Sequence, residues 1–277
     1  MKFDWYQASV PDVNPNLIMQ AVSESDYYGQ WVESKCLKGY DTGAQFVVGD
    51  QVKFRINYGG HNAEHGANIA GTGQNAPLLA SILRREFAKH RVSRADVAED
   101  FHHPDAYNYL RKQALKIAAL HKVKVREITK PIAASDDGCT LYAGAPTSSI
   151  STRLYEKGKQ LGLNADWVRN ECQVRPQKAG KDIAALLEPE QFWALSPWTL
   201  AIAHGMGKSD LARVNATIYD QADEDKAYAF CIKQYGRILS NRAKIHGSWE
   251  TLGAQMGYDI EHAKEKPPRA VLEPLKR

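Results

Sequence analysis

Residues 92–100 read VSRADVAED, residues 151–159 read STRLYEKGK, and residues 167–175 read WVRNECQVR. Side chains on a strand alternate between its two faces, so residues i, i+2 and i+4 point the same way. In the first stretch Arg94, Asp96 and Asp100 share a face, with Ala95 and Val97 opposite. In the second, Arg153, Tyr155 and Lys157 share a face, with Leu154 opposite. In the third, Arg169, Glu171, Gln173 and Arg175 share a face, with Val168, Cys172 and Val174 opposite. Three strands therefore each show charges of both signs on one side and apolar residues on the other, as strands of a half-exposed antiparallel sheet do.

Working outward, strands are predicted at Lys2 to Ala8, at Gln45 to Val48 and Val52 to Tyr58 around the turn Gly49-Asp50, at Lys122 to Lys130 and at Leu141 to Gly144. Residues 59–73, rich in Gly, Asn and His, read as a long loop. Leu78, Leu79, Ile82, Leu83 and Phe87 form an apolar stripe at helical spacing, and a helix is predicted over Asp105 to Leu120. From Asp182 the pattern turns helical: 183–187, 190–204, 224–246 and 248–256. The fold class is α+β, a mostly antiparallel sheet with flanking helices followed by a helical C-terminal region. The expected domains are 1–181 (sheet), 182–263 (helical, a helix-turn-helix or a dimerisation unit) and 264–277, a loose tail.

The chain has 277 residues, 43% hydrophobic and 25% charged, with a net charge of +4. This is the composition of a soluble globular protein and excludes collagen, a coiled-coil rod and wholesale disorder. No apolar run is long enough to span a bilayer, and MKFDWYQASVPD lacks the apolar core of a secretory signal. Cys36, Cys139, Cys172 and Cys231 have no zinc spacing and read as reduced thiols of a cytoplasmic protein.

If the three charged strands are neighbours, one sheet face carries acids, cations and a phenol. Asp96, Asp100 and Glu171 could then hold a hard divalent cation such as Mg²⁺ or Mn²⁺, which would polarise a phosphodiester. Tyr155, between Arg153 and Lys157, could attack phosphorus once cationic neighbours lower its pKa. The plainer alternative is a solvated face laced with weak ion pairs. Arg94, Arg169 and Arg175 suit phosphate geometry. Lys122, Lys124 and Arg126 alternate along one predicted strand, as a phosphate-contacting stripe or as the lysine guard of an edge strand.

The ordered set RADVAED, TLYAG with Ser148-Ser149 following, RLYEKGKQ and WVRNECQVR resembles the replication initiation factor family (Rep_trans). These are rolling-circle initiators of small plasmids and filamentous phages, with relaxases of some conjugative elements. KFDWYQAS (2–9), GTGQNAPLLASILRREF (71–87) and EPEQFWALSPWTLAIA (188–203) resemble further parts of it, so the likeness covers roughly residues 2 to 204. The resemblance implies a five-stranded antiparallel sheet and metal-dependent nicking of one DNA strand at an origin. A tyrosine becomes joined to the 5′-phosphate and leaves a 3′-hydroxyl to prime synthesis. It assigns Asp96, Asp100 and Glu171 to the family's acidic motifs and Arg153, Tyr155 and Lys157 to its R-x-Y-x-K strand.

The chain departs from the family at one point. In one branch the nucleophile follows the R-x-E strand shortly, whereas here residues 175–198 contain no tyrosine and Phe192 is the nearest aromatic of similar shape. Tyr155 is the primary candidate, with Tyr107, Tyr109 and Tyr235 in reserve. The expected partner is origin DNA, single-stranded or extruded as a hairpin; a host helicase and a second copy of the chain are further candidates, and a membrane is not. A regulator that binds DNA without cutting it, and an RNA-binding protein, are the alternative readings.

Overall fold

A computed structural model describes residues 1–25, 28–128, 138–163, 166–216 and 224–262. The tail expected at 264–277 lies outside them. In chain order the elements are β1 (Lys2–Val10), α1 (Pro15–Ser23), β2 (Gln30–Ser34), β3 (Thr42–Val48), β4 (Gln51–Tyr58), a 3₁₀ turn (Gly60–His65), β5 (Ala67–Thr72) and α2 (Asn75–Glu86). There follow β6 (Arg91–His102), α3 (Ala106–Leu120), β7 (Val125–Ile128), β8 (Thr140–Ala143), β9 (Ile150–Tyr155), α4 (Lys157–Gln160) and β10 (Trp167–Val174). The helices α5 (Gly180–Leu186), α6 (Pro189–Trp193), α7 (Pro197–Gly205), α8 (Glu224–His246) and α9 (Trp249–His262) follow.

Among the described residues ten strands form one sheet in the order β2-β3-β4-β5-β1-β6-β10-β9-β8-β7, and every neighbouring pair is antiparallel. The α+β class holds, but the expectation of five strands is corrected to ten. Each half of the sheet repeats one plan. A long strand is followed by a helix and then by a four-strand meander whose last strand returns beside the first. The plan runs β1-α1-β2-β3-β4-β5 and again β6-α3-β7-β8-β9-β10, and the halves meet where β1 pairs antiparallel with β6. The sheet order is thus the same read inward from either edge.

The sequence reading missed α1, β2, β5, the short helix α4 and the 3₁₀ turn. β5 sits in the stretch read as a loop. Its ANIAGT alternates, with Ala67, Ile69 and Gly71 buried and Ala70 and Thr72 turned to the other face. It pairs with β1 and β4, which supply the ladder partners that its small residues did not announce. Gly66 opens it at φ 79°, where a Cβ would lie 2.1 Å from the Val10 carbonyl oxygen, so only glycine fits.

One face of the sheet is packed. α2 lies on β1 and β5, α5 on β6, α6 on β1, β6 and β10, and α3 on β8 and β9. Tyr6, Phe46, Phe192 and Trp193 are fully buried there. Phe3 meets Phe192 edge to face at 5.5 Å. Because α5 to α7 belong with the sheet, the chain divides into compact units at Asp220, not at residue 181. The second unit contains α8 and α9, joined at Gly247 (φ 84°), with Ser248 Oγ accepting from the Thr251 amide at 3.1 Å to cap α9.

Candidate nucleic-acid interface

β6, β10 and β9 are neighbours in the sheet, so the three charged stretches do lie side by side. The register sets Arg169 opposite both Asp100 and Tyr155, Glu171 opposite Ala98 and Arg153, and Gln173 opposite Asp96. Paired residues share a face. Arg94, Asp96, Asp100, Arg153, Tyr155, Arg169 and Glu171 therefore all stand on the face that the packed helices leave uncovered.

The Tyr155 hydroxyl donates to Glu171 Oε1 at 2.6 Å. Arg153 donates to Glu171 Oε2 through Nε (3.1 Å) and Nη2 (2.8 Å). The same guanidinium lies 4.3 Å from the centre of the Tyr155 ring, and the Lys157 ammonium 5.5 Å from it. Lys157 is not on the strand as expected: β9 ends at Tyr155 and Lys157 opens α4. It still reaches the phenol because α4 folds back beside β10.

Arg169 is the hub. Its guanidinium donates to both oxygens of Asp100 at 2.7 and 2.8 Å and to Asp4 Oδ1 at 2.7 Å. Trp167 Nε1 donates to Asp100 Oδ1 at 2.8 Å. Arg94 grips Asp96 with two bonds, 2.9 and 2.5 Å, and Gln173 adds a third at 3.2 Å. Asp4 and Trp167 were missed by the sequence reading. Asp4 enters because a register shift in β1, between Phe3 and Trp5, displaces it from the regular ladder. An acid within the first strand, KFDW, was the available signal.

Electrostatics follow from burial. Burial pushes the Tyr155 phenol above its ordinary value and the Glu171 charge pushes it further, against the smaller pull of Arg153 and Arg169. The flanking cations were expected to lower this pKa; the pull of Arg153 is outweighed, because the phenol is only 3% exposed and bonded to a carboxylate. Burial also raises the Glu171 carboxyl, with the Arg153 charge and the Tyr155 hydrogen bond opposing and Asp4 and Asp96 adding to the rise. For Asp100 burial alone would raise the carboxyl, but the bonds from Arg169 and Trp167 and the charges of Arg169 and Lys2 hold it below the ordinary range.

A depressed folded-state pKa contributes stability that is present above the unfolded value and lost as pH falls through the folded one. Asp100→Asn is therefore expected to melt lower than the parent at neutral pH, with the gap closing as pH drops below about 4. Thermal melts at several pH values check this, and a gap independent of pH would reject it.

Asp96, Asp100 and Glu171 do not form a single site for Mg²⁺ or Mn²⁺ as they stand. Asp96 and Asp100 are four residues apart on one strand, roughly 13 Å at about 3.3 Å per residue. Each of the three carboxylates is also held by its own guanidinium. Among the described residues no three His, Cys, Asp or Glu side chains are grouped to hold a metal.

Of the other candidates, Arg175 leaves the sheet and donates to the Pro146 carbonyl at 3.0 Å. Lys122 (φ 55°) and Lys124 precede β7, so of the predicted basic stripe only Arg126 lies on a strand, stacked 4.6 Å from the Tyr142 ring. β7 is an edge strand. Tyr107 donates to Glu127 at 3.4 Å, while Tyr109 and Tyr235 are exposed. Phe192 is fully buried on the packed face, so a tyrosine at that position would have no route to DNA.

Residues 90–203 match the family model described as replication initiation factor (Rep_trans), so the resemblance read from the sequence holds across β6 to β10, the strands that carry this site. The fold is similar to the structure of a rolling-circle replication initiator protein from Geobacillus stearothermophilus, with a TM-score of 0.53 and 21% identity over 78% of this chain and 98% of that one. Comparison with curated proteins finds no match. Among the described residues no helix is long and apolar enough to cross a membrane.

Proposed function

We propose that this chain initiates rolling-circle DNA replication by nicking one strand at an origin, with Tyr155 as the nucleophile. The observation that carries this reading is the 2.6 Å hydrogen bond from the Tyr155 phenol to Glu171, on an uncovered sheet face lined with arginines. A weak nucleophile bonded to a base, with the base oriented by a third group, is the usual arrangement for covalent catalysis. Here Arg153 is the third group.

In this scheme Glu171 takes the phenolic proton as the phenolate oxygen attacks phosphorus. The bond from phosphorus to the 3′-oxygen breaks, and that oxygen leaves as a 3′-hydroxyl after gaining a proton from water. The 5′-phosphate stays on Tyr155. Once Glu171 is protonated it holds Arg153 less strongly, and the guanidinium is released toward the charge that develops on the phosphoryl oxygens. Lys157 lies close enough to contribute to the same role. Arg94 and Arg169 hold the flanking acids in place, and Arg126, Arg175, Lys122 and Lys124 lie further along the chain as phosphate contacts. No step is routed through a metal ion.

One observation favours a second reading. Tyr155 is only 3% exposed and its phenol is raised, which suits a regulator that binds origin DNA and does not cut it. Supercoiled origin DNA incubated with the protein, with and without Mn²⁺, separates the two when run on denaturing gels. A nick with a covalent protein–DNA species supports the enzyme. Tight binding with neither nick nor adduct leaves only the regulator.

A further inference from the structure

The family match begins at residue 90, so the first half of the sheet lies outside it. That half repeats the plan of the second but carries different chemistry on the same face. A groove of about 510 Å³ runs over β1, β5 and β4, lined among others by Trp5, Gln7, Lys35, Lys53, Arg55 and Asn68. Among the described residues it has no Asp or Glu in its lining. Its three cations make no ion pair among the described residues, whereas Arg94, Arg153 and Arg169 in the other half are all bound to carboxylates. The amides form a chain: Trp5 Nε1 donates to Gln7 Oε1 at 3.2 Å, and Gln7 Nε2 to Asn68 Oδ1 at 2.8 Å.

The groove is continuous with the candidate site. Trp5 pairs with Asp96 and Gln7 with Arg94 across the β1–β6 junction, and the Arg94 guanidinium sits 4.2 Å from the Trp5 ring. Cations with no carboxylate partner among the described residues, neutral amides and an aromatic ring in one trough form the combination that holds an unpaired strand, whose phosphates need charge and whose bases need stacking surface and hydrogen bonds. A duplex, whose bases are already paired and stacked, would leave the amides and the ring unused.

We propose that the N-terminal half of the sheet binds the single-stranded DNA that flanks the cleaved phosphate, with Lys35, Lys53 and Arg55 on phosphates and Trp5, Gln7 and Asn68 on bases. This rests on the nickase reading for the identity of the strand. The two halves of the repeat then divide the labour: one performs the chemistry and the other holds the substrate.

The test uses the full chain and a fluorescein-labelled single strand of about 20 nucleotides, a length on the scale of one to a few binding sites, with its duplex as control. Anisotropy is read over a salt series. The parent is expected to bind the single strand more tightly than the duplex. Lys53→Glu with Arg55→Glu should weaken single-strand binding at least about tenfold and lower the salt slope by roughly 1 to 2, since each phosphate contact on a single strand contributes about 0.7. Trp5→Ala should weaken it several-fold and Trp5→Phe much less. If the charge-reversed pair melts early, Lys53→Gln with Arg55→Gln repeats the measurement.

Variants that melt as the parent and bind the single strand within twofold of it overturn the groove, as does a parent that prefers the duplex or binds neither. Loss of binding in the groove variants with no nick or adduct from the parent keeps the groove and removes the nickase. A parent that nicks, with groove variants that bind normally, does the reverse.

Discussion

If Tyr155 is the nucleophile, as proposed, its replacement by Phe is expected to abolish the covalent protein–DNA species and to lower nicking by on the order of 10³-fold or more. The ring stays in place, because its packing against Arg153 and Lys157 does not involve the hydroxyl. What is lost is the one oxygen hydrogen-bonded to Glu171. DNA binding should change little, since the phosphate contacts come from arginines and lysines. Glu171 loses a partner, so a stability loss of about 1 kcal/mol accompanies the change. Denaturing electrophoresis of the DNA beside a binding curve reads both effects. An adduct that persists in the Phe variant would move the nucleophile elsewhere, with exposed Tyr109 the first alternative. Glu171→Gln separates base from nucleophile: it should slow adduct formation while leaving Tyr155 in place.

The second large effect belongs to Arg169. This guanidinium is 6% exposed and joins β10 to β6 through Asp100 and to β1 through Asp4, across the junction of the two half-sheets. Arg169→Met removes the cation, leaving the partly buried Asp4 carboxylate without its ion-pair partner and Asp100 with only Trp167 and Lys2. Removing one partner of a buried ion pair costs roughly 3–5 kcal/mol. The lower end, about 3 kcal/mol, applies because Asp4 and Asp100 keep some access to water. For a domain of this size that is a fall in melting temperature of about 6–12 °C. Lysine should rescue only part of it, since a single ammonium cannot make the forked contact to Asp100 while also reaching Asp4. Thermal unfolding of the three proteins at neutral pH decides it. A Met variant that melts within a degree of the parent would show that this hub contributes nothing to the fold.

Much of the site was written in alternation alone. That Arg94, Asp96 and Asp100 share a face, that Arg153 joins Tyr155 and that Arg169 joins Glu171, follows from the period of two, and the structure places each set as read. Even the failure of Asp96 and Asp100 to share one ion was open to arithmetic, since four strand residues span too far. What alternation cannot state is register. Whether Arg169 faces Asp100 or slides to Asp96 depends on how β10 aligns with β6, and that is set by the packing of Val168, Cys172 and Val174 on the other side of the sheet.

The half-sheet in front was the larger surprise. β5, with Gly and Asn among its residues, has little preference for a strand until β1 and β4 supply hydrogen-bond partners. The repeat of the strand plan is invisible in the letters because the two faces have taken up different side chains: acids and a phenol in one half, amides and cations with no carboxylate partner among the described residues in the other.

By itself, then, the chain's order of residues determined the α+β class, the approximate place of most helices and the face membership of the central residues of β6, β9 and β10, because these depend on local periodicity. Only the tertiary structure decided that ten strands form one sheet, that Asp4 joins the charged cluster and that the Tyr155 phenol is buried against Glu171. Each of those depends on contacts between segments far apart in the chain, where the free energy of packing, not the preference of any short stretch, selects the partner.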